Sequence, residues 1–148
     1  MQKINYVRVV LAGLLAGLVV NLGEFVLNQL IMGQEWEAAM LSLNRSPFGT
    51  GTILWLVVMS FALGIVMIWI YAGLCPRFGA GWRTAIITGL VTWLLAYVLA
   101  FGWSYGMGVY SASIYFGTMV WTLFELPLAA VAGAWAYDRG SAALRKGS

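Results

Sequence analysis

Four predominantly apolar stretches stand out along the chain: Tyr6 to Leu30, Gly51 to Leu74, Arg83 to Trp103 and Ile114 to Tyr137. Each meets the length of about 20 residues that an α-helix needs to cross about 30 Å of hydrocarbon. Runs such as Leu54 to Val58 and Ile65 to Ile70 do not alternate apolar with polar residues, which excludes the strands of a membrane β-barrel. The pattern predicts an all-α membrane protein, one four-transmembrane-helix bundle over residues 1–148 with helices at about 6–30, 51–74, 83–103 and 114–137. The first apolar run exceeds the roughly 7 to 15 residues of a leader's core, so it is expected to stay as a span.

Between the spans the pattern changes period. In the long connection 31–50, Trp36, Met40 and Leu43 recur at i, i+4 and i+7, which predicts a short interfacial helix with Glu35 and Glu37 toward water. It can serve as a lid or as a plain connector, and Asn44 to Gly49, with Pro47, ends it. The connection from Cys75 to Gly81 is short and turn-rich, so the second and third helices should be antiparallel neighbours. Gly51-Thr52-x-x-Trp55 with Tyr71 recurs as Gly117-Thr118-x-x-Trp121 with Tyr137. Two parallel-repeat hairpins, or chance likeness between apolar helices, would each account for the match.

Composition agrees with a membrane setting. Hydrophobic residues make up 62% of the chain and charged ones 9%, and the mean hydropathy is +0.88. The net charge of +3 matters through its placement. Lys3, Arg8, Arg77, Arg83, Arg139, Arg145 and Lys146 lie on one side of the predicted spans and Arg45 on the other, so both termini and the 75–82 loop are expected in the cytoplasm. These are topological charges, and no basic-aromatic surface for nucleic acid accompanies them. The expected partners are the lipid bilayer and a second copy or another membrane protein.

The chain has no histidine and a single cysteine, Cys75, which excludes His-based triads, His-containing zinc sites and four-thiolate clusters. No cofactor or metal is expected. Cys75 reads as an apolar filler or a juxtamembrane thiol.

What remains is two acids inside the spans, Glu24 and Glu125, with no basic residue at similar depth. On insertion scales such a group costs roughly 2.5–3.5 kcal/mol, so each should face protein or water. Gly13, Gly17, Asn21, Glu24 and Asn28 fall on one stripe of the first helix. Thr118, Thr122, Glu125, Ala129, Ala132, Gly133 and Ala136 fall on one stripe of the fourth, where Pro127 should bend the helix. The second helix offers Ser60, Gly64 and Tyr71 and the third Thr84, Thr88 and Thr92, which completes a polar interior seam. Gly13, Gly17, Gly64 and Gly133 are packing positions. Trp55, Trp93 and Trp121 are the candidate aromatic lining. Counting about 1.5 Å per residue from the expected helix ends puts Glu24 in the outer third and Glu125 near the midplane, staggered by something like 10 Å.

The strings Asn21-Leu22-Gly23-Glu24-Phe25-Val26-Leu27-Asn28, Trp36-Glu37-Ala38-Ala39-Met40, Pro76-Arg77-Phe78-Gly79 and Gly133-Ala134-Trp135-Ala136-Tyr137 resemble those of small bacterial four-helix inner-membrane proteins of unknown function. The resemblance spans most of the chain and implies a bacterial inner-membrane setting; it brings no activity to transfer. The chain is only loosely similar to the small multidrug-resistance transporters, because the residues around Glu24 do not match that family's pattern. Three functions follow as expectations. One is a small transporter or channel-like protein in which Glu24 and Glu125 handle protons or cations. The second is a scaffold or accessory subunit that binds a partner helix, a lipid or a hydrophobic ligand. The third, a lipid-directed enzyme, would need nucleophile, acid and base at one depth, and the expected stagger argues against it.

Overall fold

The computed structural model describes residues 4–46 and 48–145, with Gly140 to Arg145 by backbone only. Lys3, Pro47 and Lys146 lie outside the described residues. All regular structure among the described residues is helical. Helix α1 spans Tyr6–Phe25 and continues as a π-helical segment, Val26–Ile31. The short α2 spans Gly33–Ser42 and α3 spans Thr50–Phe78. Helix α4 spans Trp82–Trp93, continues as a second π-helical segment, Leu94–Phe101, and ends in α5, Gly102–Gly106; α6 covers Ala112–Arg145. Four of these helical stretches are long and apolar enough to cross a membrane.

Several expected boundaries move. The second long helix runs through Cys75 and Pro76 to Phe78, leaving only Gly79 to Gly81 as the turn. Gly79 and Gly81 have φ of 81° and 130°, which a Cβ would strain, so glycines make this reversal. Thr84 Oγ1 donates to Gly79 O at 2.7 Å and holds the turn against the start of α4. Helix α6 passes through Pro127 as one helix. Pro127 instead packs against Gly89, where a Cβ would sit 2.7 Å from the proline nitrogen.

Helix α1 packs along α3 and α6, and α4 packs along α6 and α3, so α1 and α4 lie diagonally. The half of the bundle toward the Gly79–Gly81 turn is built from small residues. Gly64 of α3 meets backbone atoms of Gly13 and Gly17, and a Cβ there would lie 2.7 Å from the Gly17 Cα. Gly133 of α6 packs against Ile68 and Ala16. Such positions let helices approach until their backbones touch, which maximises dispersion between surfaces that gain nothing from leaving lipid. Gly13, Gly17, Gly64 and Gly133 each lie in close approach to a neighbouring helix. Around them Ala12, Ala16, Val20, Met67, Ile68, Ala85, Leu126, Ala129, Ala130 and Ala134 form one buried core.

A polar clasp closes this end. The buried Tyr71 hydroxyl donates to Asp138 Oδ2 at 2.7 Å and accepts from the Gly81 N–H at 2.8 Å, joining α3, the turn and α6. Arg139 stacks over Trp135 at 4.1 Å, Arg83 over Trp82 at 5.4 Å and Arg77 over Phe78 at 5.9 Å, cation–π contacts in the half of the bundle toward the turn.

The opposite half, toward α2, is open. Helix α2 lies across it, with Met40 buried and Trp36 packed edge-on to Tyr110 at 5.3 Å and near Phe48 and Phe101. A short helix is present with Trp36 and Met40 turned inward, but Leu43, expected on the same apolar face, lies just past its end and is exposed; the helix covers the bundle end with an aromatic cap. Thr50 to Met59 of α3 is exposed at every position but Val57.

Candidate functional site

Both intramembrane acids lie in the open half, at one level. Three contacts set the antiparallel register of α1 and α6: Ala16 with Gly133, Gly23 with Glu125, and Met32 with Gly117. A Cβ on Gly23 would stand 2.6 Å from Glu125 Cδ, so the acid rests on a bare glycine one residue from Glu24. The expected stagger is therefore wrong. It rests on separate counts from Tyr6 and from the outer end of the fourth helix near Ile114, whereas the contacts put Tyr6 level with backbone about six residues past Tyr137, close to 9 Å along the helix.

The acids nevertheless have different surroundings. Glu24 is half-buried and held by two donors: Tyr97 Oη donates to Oε1 at 2.5 Å, and Asn28 Nδ2 donates to Oε2 at 2.5 Å. Asn28 sits one turn after Glu24, so α1 itself positions that donor. Tyr97 comes from the π-helical segment of the diagonal helix. Glu125 is 7% exposed, and neither of its oxygens has a hydrogen-bond partner among the described residues. The Trp121 indole N–H comes within reach of that carboxylate without hydrogen-bond geometry, and it too is buried and unpartnered. A buried polar atom without a partner costs about 1–3 kcal/mol, more when charged, and native structures keep few. Here Glu125, Trp121, Thr118 and Trp36 hold all those found among the described residues, every one in the same half of the bundle.

Each acid opens into its own space. A cavity of about 610 Å³ between α1, α3 and the second π segment carries Asn21, Glu24, Asn28, Tyr97, Ser60 and Thr118 on its wall, under Trp36 and Phe48. A larger groove of about 1030 Å³ runs between α1 and α6, apolar along Leu22, Val26, Val120, Trp121 and Phe124, with Gly23 and Glu125 in its wall and Glu35 among its lining. Among the described residues no lysine or arginine lines either space. The two carboxylates are near enough for their charges to interact, and the Tyr97 hydroxyl feels both.

The remaining expected residues divide. Asn21 Nδ2 donates to Gly17 O at 2.9 Å and to Val57 O at 3.4 Å, clasping α1 to α3. Thr122 Oγ1 donates to Thr118 O within its own helix at 2.7 Å. Trp93 Nε1 donates to Met119 O at 3.1 Å, tying α4 to α6 away from both spaces. Trp121 does line the groove. Trp55 is 63% exposed on the unpartnered part of α3, so it is not part of a lining.

Tyr97, Gly23 and Gly89 were missed. Tyr97 is a hydroxyl inside an apolar span and Gly23 adjoins a candidate acid; those were the available signals. The π segments carry no local signature. They widen the helix by closing bonds over five residues, as in Met32 N–H to Leu27 O at 2.8 Å, and such segments recur at functional sites. Among the described residues no group of acidic or cysteine side chains can hold a metal ion. Comparison of the chain with known protein families, with characterised proteins and with solved structures finds no match.

Proposed function

We propose that this protein is a small inner-membrane transporter or channel-like protein in which Glu24 and Glu125 handle protons or cations, with both termini in the cytoplasm and the α2 end facing outward. One observation carries the reading. Two acids sit level with each other in the open half of the bundle, one hydrogen-bonded at both oxygens and the other with no donor. A buried carboxyl without donors is satisfied by a proton, a cation or water, and the choice among these is what a carrier exchanges. Glu24, bonded by Tyr97 and Asn28, is equipped to hold charge in place, with the polar cavity as its approach. The arginine–aromatic pairs favour the opposite end as the cytoplasmic one.

The test is ion flux in proteoliposomes with a trapped pH dye and imposed cation gradients. Glu24→Gln and Glu125→Gln should each abolish the flux that wild type adds over empty vesicles. Unchanged flux in both variants sinks the proposal.

A second reading, a scaffold that seats a partner helix or a second copy, is favoured by the exposed Thr50 to Met59 segment. It expects the glutamine variants to behave as wild type, while Leu54→Arg breaks the assembly seen by cross-linking in native membranes.

A further inference from the structure

We infer that the groove between α1 and α6 is a binding site for a hydrophobic primary or secondary amine in its protonated form, with Glu125 as the counter-ion. This rests on Glu125 being a cation-handling acid and adds the class of ligand. The groove is large enough for a drug-sized molecule at about 1030 Å³, within the usual order of ligand pockets. Its walls are apolar and its rim residues Leu22, Val120, Phe124 and Leu128 are exposed, so an apolar body enters from the side without crossing a polar layer. Among the described residues its only charged lining residues are Glu35 and Glu125, both acids, which selects for a positive charge.

The donor count narrows the cation further. Both Glu125 oxygens lack partners, so a ligand that brings N–H donors satisfies what the protein leaves open. A quaternary ammonium brings charge but no donor. Both oxygens are buried in the groove's wall beside Gly23, so binding requires the Glu125 side chain to turn about its own bonds toward the ligand. That turn breaks no hydrogen bond. Glu24 could not follow a ligand so freely, since it would give up Tyr97 and Asn28. Trp121 and Phe124 offer ring faces beside the acid, adding cation–π attraction.

The experiment measures equilibrium binding to the full chain in nanodiscs of zwitterionic lipid, with empty nanodiscs subtracted for partitioning. Decylamine at neutral pH, decyltrimethylammonium and decanol are the probes. Decylammonium should bind saturably, about tenfold tighter than the quaternary analogue and tighter still than the alcohol. Glu125→Gln should remove the preference for the amine and leave alcohol binding unchanged. Val120→Trp, on the exposed rim, should block all three and does not touch the acid, which keeps the test valid if the glutamine variant folds poorly. Equal binding of alcohol and amine, or full amine affinity in Glu125→Gln or Val120→Trp, overturns the inference. Amine binding without any ion flux would overturn the transport reading and leave this site standing; flux without amine binding would do the reverse.

Discussion

Gly64→Ala should destabilise the bundle by about 2 kcal/mol, while Gly73→Ala on the same helix should not. The added methyl at Gly64 would lie 2.7 Å from the Gly17 Cα and would also meet other backbone atoms of Gly13 and Gly17, which no rotamer change can move. Carbon atoms rest at about 3.5–4.0 Å, so α1 and α3 must part by roughly 1 Å. A gap of that size forfeits about a quarter to a half of each contact of about 0.1–0.2 kcal/mol, and roughly fifty contacts along the seam put the loss near 2 kcal/mol. That agrees with the usual range of about 1–3 kcal/mol for overpacking. Gly73 has nothing within 4 Å, so alanine there adds helix propensity and no clash. Reversible unfolding in mixed micelles, followed by tryptophan fluorescence and circular dichroism, reads both variants on one scale. Equal midpoints for the two variants would refute the claim that backbone contact at Gly64 holds the closed half together.

Tyr97→Phe removes one of the two donors to Glu24, a bond to a charged group worth about 1.5–3 kcal/mol. Flux in proteoliposomes should fall about tenfold or more without being abolished as it is in Glu24→Gln. Tyr71→Phe removes the hydroxyl shared by Asp138 and the Gly81 N–H, and unfolding should become easier by about 1–3 kcal/mol. A double-mutant cycle with Asp138→Asn should show coupling between the two residues, where additive effects would mean that the clasp is incidental. Trp55→Ala should leave flux as in wild type, whereas Trp121→Ala should weaken amine binding by about threefold or more; the same assays separate them.

Helical periodicity made much of this molecule legible. The Gly13, Gly17, Asn21, Glu24, Asn28 stripe faces one side because side-chain direction follows from 3.6 residues per turn, and the same arithmetic placed Gly133 and Glu125. What periodicity cannot supply is register between helices. Register is set by which surfaces fit, and here by Gly23 accepting Glu125 and Gly89 accepting Pro127, pairings between distant residues. Counting from assumed boundaries failed because α6 continues past Tyr137 to Arg145. The π segments escaped for a similar reason. Val26 to Ile31, which holds Asn28 and Gln29, and the largely apolar Leu94 to Phe101 share no composition that marks a wider winding, which answers to what they pack around, such as the Tyr97 to Glu24 contact. Trp55 shows the opposite hazard, since a motif shared with Trp121 does not share its neighbours.

The division of the bundle into a closed and an open half bears directly on what can pass Glu24 and Glu125. Beyond the acids lie Ala16, Val20, Met67, Ile68, Leu126 and Ala130, all buried and apolar, and then the Gly13–Gly17–Gly64 backbone contact. A hydrated cation has no path through that core in this conformation, and a seam made of backbone has no side chain that can swing aside. On the transport reading proposed above, passage requires a second conformation in which α1 and α3 part at Gly64 while the α2 end closes. The cost of parting is the same loss of contact that Gly64→Ala imposes permanently. The open half already contains the means of closing. Its aromatic cap sits on α2, and the exposed part of α3 has room to move inward against the cavity that Glu24 faces. On this argument a bulkier residue at Gly64 weakens the inner seal and should shift the population toward the inward state. Its effect on flux would then be opposite in kind to that of Glu24→Gln, which leaves the seal intact and removes the charge.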